Sequence, residues 1–126
     1  MSFTNTFETT VLTWSFTTNS ATRPTEWHTA LYTVAPDDTG GGTEVSGGGY
    51  ARQETAFTVS GNTASNTSAE EWPVATAAYG TVVAVGIFDA SSGGNLLAYA
   101  NLTANKTIDT GDVFRIPAGD LDITLD

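Results

Sequence analysis

Thr81-Val82-Val83-Ala84-Val85-Gly86-Ile87-Phe88-Asp89 is the most apolar run of the chain. Its Val, Ile and Thr side chains branch at Cβ, which suits a pleated strand better than a helical turn. The run does not alternate with polar residues, so it predicts a strand covered on both faces. Ala90-Ser91-Ser92-Gly93-Gly94 breaks it, and the chain returns through Asn95 to Leu102, which predicts a hairpin with a loop of about five residues.

Working outward, short runs separated by turn signals continue the same pattern. Trp27 to Val34 predicts a strand, entered after Arg23-Pro24-Thr25 and left at Ala35-Pro36-Asp37-Asp38, where proline removes a donor and aspartate favours a turn. Thr39 to Gly42 reads as a loop tip and Thr43 to Ser46 as a short extended piece. Gly47 to Gly49 predicts a bulge or a close approach of two backbones, because residues without Cβ reach positive φ at little steric cost. Tyr50 to Gln53 and Ala56 to Ser60 are further strand runs, the second closed by Ser60-Gly61-Asn62. Ala64 to Glu71 reads as polar and either extended or irregular, ending at Trp72-Pro73-Val74. Thr107 to Asp112 predicts a turn-bearing bridge to Val113 to Ile116. Asp120-Leu121-Asp122-Ile123-Thr124-Leu125-Asp126 alternates at period two, the pattern of a half-buried strand with its acidic face in water or against a partner.

The N-terminus has a different period. Phe3, Phe7, Val11 and Trp14 recur at helical spacing, and Leu12 and Phe16 widen the stripe. This predicts a short helix within residues 1–18, with Asn5 and Glu8 as a capping pair or Ser2 as the start. A strand is the competing reading, since the many threonines lower helix propensity. So short a helix is marginal alone in water and needs something to dock on. The fold class expected is mainly β: an antiparallel, jelly-roll-like β-sandwich over residues 26–126 with an N-terminal α-helix. At 126 residues the chain has room for a single domain with one modest core.

Charge narrows the partners. There are 14 acidic and 4 basic side chains, for a net charge of −10. Arg23, Arg52, Lys106 and Arg115 are scattered, so neither a nucleic-acid groove nor an anionic membrane surface is expected. The chain has no cysteine, which excludes disulfides, thiolate metal sites and thiol chemistry. No signal peptide or spanning segment is legible, so the expectation is a protein made in the cytoplasm without membrane insertion. The sequons at Asn66, Asn101 and Asn105 read as chance in a chain so rich in Asn and Thr.

Few residues invite chemistry. His28 is the one histidine, on a strand face with Ala30, Tyr32 and Val34, and reads as packed or interfacial instead of as a catalytic base. Glu70 and Glu71 beside Trp72 resemble a glycosidase pair in composition, but adjacent residues of an extended segment point to opposite sides. They read as an acidic rim, with Trp72 in the core. Asp37-Asp38 and Asp120, Asp122 and Asp126 lack the spacing of a calcium loop. The glycines are followed by no Gly-Lys-Ser/Thr, so a phosphate loop is excluded. Arg52, in a chain with so few cations, is expected to pair with an acid within or between subunits. No catalytic, cofactor or metal residues are expected.

Gly42-Thr43-Glu44-Val45-Ser46-Gly47-Gly48-Gly49-Tyr50-Ala51-Arg52-Gln53, with Ala30-Leu31-Tyr32-Thr33 upstream and Val85 to Ala90 and Gly94-Asn95-Leu96-Leu97 downstream, resembles a family of small virion proteins of tailed bacteriophages, commonly labelled tail-fibre or minor tail proteins. The resemblance runs from the N-terminal stripe to the closing Asp126 and brings no catalytic residues. It implies a structural protein located in the virion, with other capsid or tail proteins and further copies of itself as partners, a trimer among the assemblies. The absence of a shaft repeat favours capsid decoration or cement over a tail-fibre adhesin binding a host surface glycan; the remaining alternatives are a carbohydrate-binding module using Trp27 and Trp72 and, last, a small hydrolase. Phe3, Phe7, Val11 and Trp14 are the expected docking face. Gly47, Gly48, Gly49, Tyr50, Arg52 and Gln53 are the expected interface loop.

Overall fold

The apolar run folds into a strand over Gly80–Phe88 that is paired along both edges. It is the eighth of eleven strands in the computed structural model of the chain, which describes residues 1–126. In chain order the elements are β1 (Ser2–Phe3), α1 (Asn5–Phe16), β2 (His28–Val34), β3 (Thr43–Glu44), β4 (Gln53–Glu54), β5 (Phe57–Ser60), β6 (Thr63–Asn66), β7 (Glu70–Glu71), β8 (Gly80–Phe88), β9 (Leu96–Ile108), β10 (Arg115–Ile116) and β11 (Asp122–Thr124). The chain is thus mainly β, with one short N-terminal helix, and every strand pair is antiparallel.

One sheet has the order β1-β9-β8-β2-β3, with β4 beside β3 on the same edge of β2. Two smaller sheets, β10-β7 and β11-β6-β5, complete the fold. The main core joins Leu31, Val82, Val85 and Ile108 of the large sheet to Trp72, Phe114, Ile116 and Leu121, so one face of that sheet is closed by the segments around β7 and β10. Trp72 meets Phe114 edge-on at 5.3 Å, the offset geometry that ring quadrupoles favour. Leu31, Val82 and Ile87 are fully buried, each contributing about 1.5–3 kcal/mol by leaving water. Ala30, Tyr32, Ala84 and Phe88 form a second cluster. Gly86 makes that packing possible: a Cβ there would lie 2.9 Å from the Tyr32 ring and 2.7 Å from Leu96 Cδ1.

Several sequence expectations are corrected. The hairpin loop spans Asp89 to Asn95, longer than expected, because the Asp89 carboxylate accepts from the Asn95 backbone N–H at 2.7 Å and its side-chain amide at 3.0 Å and so closes a wider turn. Strand β9 runs on past Leu102 to Ile108. Val82 pairs with Lys106 and Ala84 with Asn101, which leaves residues 102–105 opposite Val83 as a bulge larger than the usual two-against-one. Thr107, expected in a turn, is instead laddered to Thr81, their hydroxyls 3.0 Å apart. In the run Tyr50 to Gln53 only Gln53 enters a strand. The Tyr50 hydroxyl instead accepts from the Leu31 backbone N–H at 3.0 Å, filling the gap between β3 and β4 on the edge of β2.

The N-terminal segment is a helix, not a strand, but its start differs from the expected pair. Thr4 is the cap and accepts from the Phe7 N–H at 3.4 Å, while Asn5 is the first helical residue. Thr4 is chosen because β1 holds Ser2 and Phe3 against Tyr99 and Ala98, so the helix can begin only after that pairing ends. Phe3 therefore lies in β1, outside the helical stripe, and touches Phe7 edge-on at 4.8 Å. The threonines are accommodated by returning hydroxyls to carbonyls one turn back: Thr9 to Asn5, Thr10 to Thr6 and Thr17 to Thr13.

Candidate docking surface

Helix α1 carries apolar side chains on two sides, Phe7, Val11 and Trp14 on one and Leu12 and Phe16 on the other, and has no buried residue. Leu12 is 58% exposed, Trp14 70% and Phe16 81%. Large apolar side chains gathered in water on one short element mark an interaction surface. It is anchored at its N-terminal end, where the buried Thr4 hydroxyl donates to the Leu96 carbonyl at 2.7 Å and its N–H to the Leu97 carbonyl at 2.9 Å. After Phe16 the chain doubles back, so Ala21 to Pro24 lie beside Phe7, Thr10, Val11 and Trp14 across a groove of about 340 Å³. A second groove of about 290 Å³, between Phe3, Phe7, Trp27, Phe57, Val59 and Ile123, adjoins it. Arg23 lines both and is the one charged residue in either. The ion pairs of the chain involve His28, Arg52 and Arg115, which leaves Arg23 without an acidic partner.

Of the expected docking face, Phe7, Val11 and Trp14 line the first of these grooves and Phe3 the second. Sequence reasoning missed Arg23, Pro24 and Trp27 as parts of the same surface. Only the reversal after Phe16 brings them to the helix, and nothing in their spacing signals it.

The loop around Gly47 to Gln53 is built differently. All three glycines have positive φ, and a Cβ on Gly48 would lie 2.4 Å from the Ala77 carbonyl oxygen, so the expected close approach of backbones is present. Arg52 is turned inward, its side chain 8% exposed. Its Nε and Nη2 donate to the two Glu44 carboxylate oxygens at 2.9 and 2.8 Å, and Nη1 donates to the Ala90 and Gly93 carbonyls at 3.0 and 2.8 Å. The guanidinium also stacks on Phe88, 3.6 Å from the ring centroid. The acid that Arg52 was expected to find is thus Glu44 of the same chain. Arg52 fastens the β8–β9 loop to the edge of β2.

Electrostatics follow from these contacts. Burial raises the Glu44 carboxyl, but the hydrogen bonds from Arg52 and Tyr50 outweigh it and hold the group below the ordinary carboxylate range. Burial and the neighbouring Glu44 charge push Tyr32 up to about 12. Burial, reinforced by the Glu44 carboxylate that its hydroxyl meets at 2.7 Å, pushes Tyr50 far up. Both phenols stay neutral.

The remaining sequence candidates are separated. Glu70 is buried and Glu71 exposed, so they face opposite sides as expected, yet Glu70 is not part of a solvated rim. Burial raises its carboxyl, opposed by a hydrogen bond from Thr55. Trp72 is buried with its indole N–H unpartnered, so Trp27 and Trp72 present no shared platform for a sugar. His28 is buried, with Nε2 3.4 Å from a Glu26 carboxylate oxygen and Nδ1 unpartnered. Asp37 is occupied by Thr39, Asp38 by the Tyr99 hydroxyl and Asp122 by Ser65. No three His, Asp or Glu side chains converge as metal ligands would. No helix is long and apolar enough to cross a membrane.

Residues 2–124 match the model of a family described as podophage GP4 fiber I protein gp80. Among the curated proteins none matches the chain.

Proposed function

We propose, from the premise that the chain belongs to the podophage GP4 fiber I protein gp80 family, that it is a non-enzymatic subunit of the fibre apparatus, held in the particle by the surface around α1. The observation that carries the docking role is a helix with apolar side chains on two opposite sides and no residue buried, ending in Leu12, Trp14 and Phe16 in water. Exposing three large apolar side chains together forfeits about 1.5–3 kcal/mol each, a cost that a partner would recover. The β-domain supplies the rigid base, and the Arg52–Glu44 contact keeps the β8–β9 loop in one shape.

Decoration of the capsid is the second reading. It draws on one β-domain with a single projecting apolar element, which suits a clamp across neighbouring capsomers as well as it suits a fibre joint. Cryo-electron microscopy of the native particle separates the two. Density for this chain at the fibres supports the fibre role, many copies over the capsid lattice replace it with decoration, and absence from the particle overturns both.

A further inference from the structure

We propose that the partner at this surface is a second copy of the chain, docked head to tail through opposite sides of α1. The inference rests on the reading of α1 as a docking element and names its occupant. Glu8, Leu12 and Phe16 follow one another at four-residue spacing and so share one side of the helix, all of them exposed. Phe7, Val11 and Trp14 occupy the other side and form the wall of the groove closed by Ala21 to Pro24. One helix therefore offers a ridge of two large apolar side chains on one side and an apolar groove on the other.

Charge makes the two fit each other. Glu8 is the one charged residue of α1. Arg23 is the one charged residue of the groove and has no partner within its own chain. Laying the ridge of one copy in the groove of the next covers Leu12 and Phe16 with Trp14, Val11 and Pro24 and brings Glu8 to Arg23. In a molecule of net charge −10, most of the surface repels a second copy. The ridge and groove together hold one acid and one base, so this contact is neutral where the rest is not. Because ridge and groove are different patches, the contact is heterologous, and repetition closes a ring or extends a filament.

The experiment is light scattering on the full chain over a concentration series, combined with intermolecular cross-linking. The chain has no cysteine, so the double variant Phe16→Cys, Pro24→Cys introduces the only thiols. Phe16 lies on the ridge side of α1 and Pro24 lines the groove on its other side, so oxidation is expected to give covalent oligomers and no internal disulfide. Glu8→Arg and Arg23→Glu are each expected to weaken association about tenfold, and the combined reversal to restore it. Phe16→Glu is expected to be monomeric with an unchanged circular dichroism spectrum. A chain that stays monomeric and forms no cross-links overturns the self-contact, as does an oligomer indifferent to all three substitutions. If that monomer loses incorporation into the particle on Phe16→Glu, the docking role stands with a different partner. If it incorporates normally, both readings fall.

Discussion

Replacing Arg52 with Met keeps much of the volume and removes the fork. The wild-type guanidinium makes four hydrogen bonds, two to Glu44 and one each to the Ala90 and Gly93 carbonyls, and stacks on Phe88. Severing one member of a wholly buried ion pair costs about 3–5 kcal/mol, because the other charge stays buried. Glu44 is 26% exposed on its side chain, so water recovers part of that loss, and about 2–4 kcal/mol is expected. For a domain of this size the change corresponds to about 8–16 °C in Tm, at ~4 °C per kcal/mol. Urea unfolding followed by tryptophan fluorescence measures the stability, and amide hydrogen exchange over residues 89–95 tests whether the loop is released. Lys at position 52 keeps the charge but not the bidentate geometry and should recover less than half of the loss. Pairing Arg52→Met with Glu44→Met removes the stranded carboxylate and should recover most of it. The pH dependence has a definite sign. Glu44 titrates below 4.5 in the folded chain, so its contribution is present above that pH and lost as pH falls through the folded value. In Arg52→Met only the Tyr50 hydrogen bond still opposes burial at the carboxyl, so that contribution shrinks. A variant within about 0.5 kcal/mol of wild type, with unchanged exchange at 89–95, would refute the clamp.

Gly48→Ala is expected to destabilise by about 2–4 kcal/mol, since φ is +63° and the new Cβ would lie 2.4 Å from the Ala77 carbonyl; thermal melting with the wild-type Tm retained would show that the approach is not tight. Thr4→Ala removes both the helix cap and the bond to the Leu96 carbonyl and should cost about 1–2.5 kcal/mol, whereas Thr4→Ser should recover most of it, with helical circular dichroism as the readout. Glu70 has a raised carboxyl in the folded chain, so its stabilising contribution is full below 4.5 and fades as pH rises through the folded value. Glu70→Gln should therefore gain ~1 kcal/mol at neutral pH and nothing at low pH, and denaturant titrations at both pH values that gave equal differences would contradict the burial.

What the sequence determined is what local chemistry dictates. The run 81–89 had to be a central strand because no polar alternation offers water a face, and Phe7, Val11 and Trp14 share a helical side whatever lies beyond them. The Gly47 to Gly49 approach was legible because positive φ leaves glycine few competitors. His28 and Trp72 in the interior followed from strand alternation and from sheer apolar size. The mild polarity of 102–107 hid the extension of β9, since pairing there depends on a bulge whose position no period reveals. The partner of Arg52 was equally hidden: 14 acids were available, and only the folding of β3 against β2 put Glu44 within reach of the fork. The helix start moved to Thr4 because β1 paired with β9 across most of the chain length. The docking surface was half visible, as a stripe of aromatics without a destination. Its groove, its lone Arg23 and the ridge of Leu12 and Phe16 opposite exist only because the chain reverses after α1. Periodicity fixes which side chains share a face, but which faces meet is set by long-range packing that no local window contains.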